Sequence, residues 1–161
     1  MKDLKALFKS FGYAFQGVFT AIKTERNMRI HISCFLYMFF FLCAFDFFEI
    51  TRTQFAILFI ACGLVMGSEL INTSIEAAVD LHGKEYTEFG KIAKDCAAGA
   101  VLVFTIFAVL AGIAIMWQPE AFSQLFQYFT DNLWALVLFI ISLVLDIIFI
   151  FFGFGKKGKN K

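Results

Sequence analysis

Four stretches of the chain are almost wholly apolar: Ile30–Phe48, Phe55–Val79, Cys96–Trp117 and Trp134–Phe154. A helix needs roughly 20 residues to cross a hydrocarbon core of about 30 Å, and each run approaches or passes that length. Only helices or closed barrels satisfy every backbone amide inside lipid. The runs are continuous rather than alternating in polarity, so they predict four membrane-spanning helices in an all-α integral membrane bundle. Ahead of them, Leu4, Leu7, Phe8, Phe11, Phe15, Val18, Phe19 and Ile22 recur at helical spacing with lysines and Gln16 on other faces. That is the pattern of a helix lying on a membrane surface. The second run breaks its own apolar character at "SELINTSIEAAVDLH", Ser68 to His82. At about 100° per residue, Glu69, Asn72, Glu76 and Asp80 fall within roughly 80° of arc and climb about 16 Å along one face. Such a stripe requires something polar beside it.

Composition agrees with the pattern. The chain has 161 residues, 60% of them hydrophobic, with 24 Phe and one Pro. Ordinary soluble domains are about half apolar and do not gather the excess into long runs. Charge then orients the spans. Lys2, Lys5, Lys9, Lys23, Arg26 and Arg29 precede the first run, Lys84, Lys91 and Lys94 lie between the second and third, and Lys156, Lys157, Lys159 and Lys161 follow the fourth. The other two connections hold Arg52 as their only basic residue. By the positive-inside rule both termini and the second connection are expected on the cytoplasmic side of the membrane. The stripe then runs from the inner leaflet out to the cytosol, with Glu69 about 22 Å along a span that starts near Gln54. No repeat or linker divides the chain. It is organised as residues 1–117, a surface helix with three spans, and 118–161, an extension carrying a fourth span and a basic tail.

Several functions are excluded. The N-terminus lacks the apolar core and small-residue cleavage site of a secretory signal. Cys34, Cys43, Cys62 and Cys96 form no CxxC pair and read as free thiols among packed helices. With His31 and His82 as the only histidines, a zinc site is not expected. Gly153 to Gly158 satisfies GxGxxG, but it follows a membrane span and opens no helix, so it lacks the βαβ setting of a dinucleotide fingerprint. No GxxxxGK[ST] loop is present. No nucleic-acid partner is expected.

The residues after the stripe supply a chemistry. In "GKEYTEFGKIAKDCAAGA" a short polar connection leads to Lys91 and Lys94, which suit phosphate as point charges. Glu76 suits Mg²⁺, a hard cation commonly bound by one or two carboxylates plus substrate phosphates. Carboxylates, a lysine and a membrane surface together point to phosphoryl transfer, which depends on positioning and charge neutralisation. Intramembrane carboxylates also mark ion and proton paths. A small channel or transporter, or a non-catalytic membrane subunit, is therefore the alternative on the residues alone.

The run "ELINTSIEAAVDL", then "EY", then "KIAKDCAAGAV", with "GYAFQGVFTAIKTERNMRIHI" upstream, resembles the prokaryotic diacylglycerol kinase family, small membrane enzymes that include the undecaprenol kinases. The resemblance covers roughly Phe11 to Ala111. It implies phosphorylation of a membrane lipid alcohol by ATP with Mg²⁺, in a homotrimer whose subunits share active sites at the cytosolic face. Carried over residue by residue, it implies Glu69 as general base and Glu25 and Glu76 as carboxylates for the metal of MgATP. Tyr13, Asn72, Asp80, Glu85, Lys94 and Asp95 match positions lining the nucleotide and phosphate site. "ERNMRIHI" and "AKDCAAGAV" look more like the undecaprenol branch than the diacylglycerol branch, so undecaprenol is the favoured acceptor and diacylglycerol the alternative. Two features depart from the family pattern. Thr87 stands where many relatives have His, and a fourth hydrophobic run follows where relatives commonly stop, with Asp146 inside it. That acid is expected either to reach the lipid-hydroxyl site or to pair near an interface.

Overall fold

The structure is a computed structural model that describes residues 2–81 and 87–153. Those residues form six helices and no strand: α1 (Lys2–Thr24), α2 (Arg26–Ala44), α3 (Arg52–Asp80), α4 (Glu88–Met116), α5 (Pro119–Asp131) and α6 (Leu133–Phe152). Four of them, α2, α3, α4 and α6, are long and apolar enough to cross a membrane. The chain is a multi-pass, all-α membrane protein.

Local chemistry sets the ends of these helices. Thr51 and Gln54 form a capping box, the Gln54 amide donating to Thr51 Oγ1 at 3.2 Å and the Thr51 amide to Gln54 Oε1 at 2.9 Å, which starts α3. Thr87 starts α4 by accepting from the Gly90 amide at 3.1 Å. Both long helices have 29 residues, or about 43 Å, and so exceed the hydrocarbon layer by more than two turns. That surplus is where the polar stripe and the polar start of α4 are found. Hydropathy hides it, and α4 accordingly begins at Glu88 rather than at the expected Cys96. The first span starts and stops earlier than its apolar run, because Phe45 is extended and the aromatic sequence after it turns.

The connection before the last span holds α5, a helix that the apolar runs do not reveal. Its signals were Pro119 at the first turn, Glu120 beside it, and an apolar face of Ala121, Leu125, Tyr128 and Phe129 at helical spacing. Asn132 ends it and begins α6, its amide and side chain both donating to the Tyr128 carbonyl. The apolar face of α1 is exposed along its length, as a membrane-surface helix requires.

The most extensive packing joins α3 to α4; α3 buries Leu58 and Val65, and α4 buries Ala97 and Val101. The α2–α6 pairing is polar and regular. Arg29 Nε donates to the Ile150 carbonyl at 2.9 Å, Ser33 Oγ to Asp146 Oδ1 at 2.5 Å, and Tyr37 Oη to Ser142 Oγ at 3.1 Å. Each pair advances four residues along α2 and retreats four along α6. One face of each helix therefore meets the other in antiparallel register, and an edge-to-face contact of Phe41 with Phe139 lies one turn further along. Asp146 thus pairs with a neighbouring helix, one of the two outcomes expected for it.

Arg29, 6% exposed, also ties the ends of three helices together. Its Nη1 donates to the carbonyls of Ile22 at 3.0 Å and Lys23 at 3.1 Å, in the last turn of α1, while Nε holds the end of α6. These carbonyls have no partner within their own helices, and a cation beside them is doubly favourable. Gly153 closes α6 with φ of +56°, and a Cβ on it would come within 3.1 Å of Arg29 Nη1. Gly153→Val should therefore lower stability in micelles by about 1–3 kcal/mol, through backbone strain and displacement of the guanidinium. Phe152→Val, one residue away on an exposed side chain, should stay within about 0.5 kcal/mol. Thermal unfolding of the two variants side by side checks the pair.

Candidate active site

The stripe on α3 is divided by depth. Glu69, 1% exposed, and Asn72 are buried, whereas Glu76 is half-buried and Asp80 exposed. Glu69 sits where α3 meets the start of α2, with the Asn27 side chain beside its carboxylate. Glu25 and Glu76 are close enough to act on Glu69 electrostatically. The Asn72 amide donates to Glu76 Oε1 at 3.1 Å. Glu25 is the single residue between α1 and α2, held in extended conformation while its own amide donates to the Ala21 carbonyl at 2.8 Å. Three carboxylates from two segments thus converge on one end of the bundle.

Across from the stripe, α4 brings in a cation. Lys94 Nζ lies 2.5 Å from Asp80 Oδ1, their side chains 26% and 69% exposed. Asp95 follows on the same turn and is exposed. The site therefore grades from a buried acid at Glu69, through an amide-held carboxylate at Glu76, to an ion pair at the water-exposed end. Two of the polar atoms remain open. Glu69 Oε2 and Asn72 Oδ1 are buried without a hydrogen-bond partner among the described residues. Buried acceptors of that kind cost roughly 1–3 kcal/mol each and call for a donor or a cation.

The residues fit a magnesium ion of a particular sort. Among the described residues no three acidic, histidine or cysteine side chains gather as a complete metal site. Magnesium bound with nucleotide takes one or two protein carboxylates and fills its remaining positions with phosphate and water. Glu25 and Glu76, converging near the open acceptors, are the number and type that such an ion uses.

Of the nine residues anticipated from sequence, Glu25, Glu69, Asn72 and Glu76 come together, and Asp80 with Lys94 forms the adjoining pair. Asp95 stands beside that pair on α4. Tyr13 does not join them. It is 60% exposed on α1, about 18 Å along the helix from Glu25, with the Lys9 ammonium 5.7 Å from its ring centre. Glu85 lies outside the described residues. Thr87 caps α4. Sequence reasoning missed Asn27; its signal was an amide two residues beyond Glu25, in a segment that otherwise reads as a solvated charge patch.

Residues 12–116 match the family described as prokaryotic diacylglycerol kinase. The chain belongs to the prokaryotic diacylglycerol kinase family. It is 42% identical over 114 residues to a diacylglycerol kinase of Synechocystis, an alignment covering 70% of this chain and 63% of that protein. An undecaprenol kinase of Bacillus subtilis is 35% identical over 113 residues, covering 70% and 89%. A diacylglycerol kinase of Escherichia coli is 34% identical over 112 residues, again covering 70% and 89%. The relatives' names make this a family of lipid kinases. Every stripe residue, Glu25 and Lys94 lie within the matched region of this family member, and α5 and α6 lie beyond it.

Asn27 is the newly placed neighbour, and its contribution is measurable. Asn27→Ala withdraws an amide from a buried carboxylate and should cost about 1–3 kcal/mol of stability. Asp80→Asn breaks a largely exposed ion pair and should cost less than about 1 kcal/mol. Denaturant titration of both variants in micelles distinguishes the buried from the exposed end of the site.

Proposed function

We propose that this family member transfers the γ-phosphate of MgATP to the hydroxyl of a membrane lipid alcohol. The observation that carries the reading is Glu69: a buried carboxylate with one oxygen unpartnered, at the depth where a lipid hydroxyl would be presented. Its open oxygen accepts the hydroxyl proton as the lipid oxygen attacks the γ-phosphorus and the bond to the β-phosphate oxygen breaks, releasing ADP. Asn27 orients that carboxylate. Glu25 and Glu76 would hold the magnesium ion of MgATP, with the Asn72 amide fixing Glu76. When bound, the ion neutralises phosphate charge. Lys94, delivered to the stripe by α4, steadies the phosphates, Asp80 and Asp95 flank it on the nucleotide side, and the resemblance adds Glu85 there.

Basic residues flanking α1, the α3–α4 connection and the tail support a cytoplasmic site and cytoplasmic termini. A homotrimer would place neighbouring copies against the broad apolar surfaces that one copy leaves exposed. Undecaprenol is the favoured acceptor, on the character of "ERNMRIHI" and "AKDCAAGAV". Diacylglycerol is the second reading, favoured by the higher identity to the Synechocystis relative. A transport role has less support, because the unsatisfied polar groups of the stripe gather at one end of the bundle while the α2–α6 polar groups are paired with one another.

Glu69→Gln keeps the side chain's size and should leave nucleotide affinity nearly intact while lowering turnover by about 10²–10⁴-fold. Glu76→Gln removes a negative ligand, so its defect should recover in part at high Mg²⁺. Turnover and nucleotide affinity across a magnesium titration test both. Rescue of Glu69→Gln but not Glu76→Gln would reverse the two roles, and unchanged turnover in both would reject the kinase reading.

A further inference from the structure

Arg29 is a buried cation that pairs with no acid among the described residues. Its side-chain hydrogen bonds all go to main-chain carbonyls, those of Ile22 and Lys23 in the last turn of α1 and that of Ile150 in the last turn of α6. A guanidinium taken out of water has to find negative charge elsewhere. Each helix C-terminus carries about half a negative charge, so the two that converge here supply roughly the one charge required. One helix end alone would leave the cation half-compensated. The planar fork of the guanidinium also presents donors to both ends at once, which a single ammonium does less well.

What this cation holds is a joint of one residue. Glu25 alone separates α1 from α2, in extended conformation at φ −101° and ψ 120°. Its amide donates to the Ala21 carbonyl at 2.8 Å, and its carbonyl accepts from the Arg29 amide at 3.4 Å. The segment from Ile22 to Arg29 is therefore closed twice, once through the main chain of Glu25 and once through the Arg29 side chain. Little else fixes α1 to the bundle: among the described residues, Ala21 is its one buried side chain. The two soft dihedrals of Glu25 set both the angle between the helices and the direction of its own carboxylate. Whatever locks the joint also aims that carboxylate.

We infer that Arg29 is a positioning residue for the metal of the nucleotide: by gripping the ends of α1 and α6 together it fixes the backbone of Glu25, and through it the carboxylate, so that the fourth span supports a site built on other segments. That role rests on the lipid kinase reading, in which Glu25 meets magnesium. It gives a task to α6, which lies outside the family-matched region.

The test uses the full-length protein in micelles, with Mn²⁺ in place of Mg²⁺ and a non-hydrolysable ATP analogue. Metal binding is followed by electron paramagnetic resonance, and hydrogen exchange of residues 21–29 is read on the same samples. Arg29→Gln should speed exchange at the joint and raise the Mn²⁺ half-saturation about five- to tenfold, the scale of one or two hydrogen bonds. Turnover at saturating Mg²⁺ and ATP should stay within about threefold, as expected when binding rather than the chemical step is weakened. Added to Glu25→Gln, the same substitution should weaken Mn²⁺ by less than about twofold further, because effects that pass through one group do not add. Gly153→Ala disturbs the joint from α6, since its Cβ would come within 3.1 Å of Arg29 Nη1. It should shift the half-saturation in the same direction, and it covers the case in which Arg29→Gln does not assemble. Tyr37→Phe removes an α2–α6 hydrogen bond two turns deeper and should leave Mn²⁺ binding unchanged. Faster exchange with unaltered Mn²⁺ affinity, normal half-saturation in Gly153→Ala, an equal shift in Tyr37→Phe, or full additivity with Glu25→Gln would overturn the positioning role. Absence of nucleotide-dependent Mn²⁺ binding in the unaltered protein would instead reject the metal reading, and the role with it.

Discussion

A carboxylate inside the hydrocarbon layer has no water to solvate it, so a helix bundle that carries such groups must bring each one a partner from another helix or from a ligand. In this protein α2 meets that demand on two sides. One side turns Asn27 towards Glu69 on α3, and the other turns Arg29, Ser33 and Tyr37 towards the carbonyl of Ile150, Asp146 and Ser142 on α6. The apolar residues are largely outside, exposed to whatever surrounds one copy of the chain, and the polar ones are between helices. Register, helix direction and the placing of the candidate site all follow from satisfying a small number of polar groups.

The two sides differ in completeness. On the α6 side each polar residue finds a partner in antiparallel steps of four, which is the signature of a contact that holds structure. On the α3 side Glu69 Oε2 and Asn72 Oδ1 are buried and unmatched. Groups left open at such cost are where a substrate hydroxyl or a cation has work to do. Glu25 joins the two, since it sits in the joint between α1 and α2 that Arg29 braces through the carbonyls of Ile22 and Lys23. The fourth span, outside the family-matched region, thereby touches the same brace as the candidate metal ligand.

Much of this was legible in the chain. Apolar runs located the four spans, because hydrocarbon thickness demands a length that composition reveals, and the spacing of Glu69, Asn72, Glu76 and Asp80 located the stripe. The helix starts were less visible, since Thr51 and Thr87 act through capping hydrogen bonds that hydropathy does not register. The helix α5 was hidden by its modest length and mixed polarity. Partners distant in sequence were hardest: nothing in the local text joins Asn27 to Glu69. For Arg29, Ser33 and Tyr37 a signal existed in their spacing of four, matched by Ser142 and Asp146, but only packing reveals which faces meet.

The central claim is that an acid held at the lipid boundary serves transfer of phosphate to a membrane alcohol. The most direct test is the fate of a labelled γ-phosphate when the full-length protein, in bilayers, is given ATP and Mg²⁺ with and without a lipid alcohol. The account predicts label in the organic-soluble lipid, one phosphate for each ATP consumed, and little ATP consumption when the alcohol is left out. ATP hydrolysis indifferent to the lipid, or ion flux across the bilayer with no labelled lipid, would contradict it.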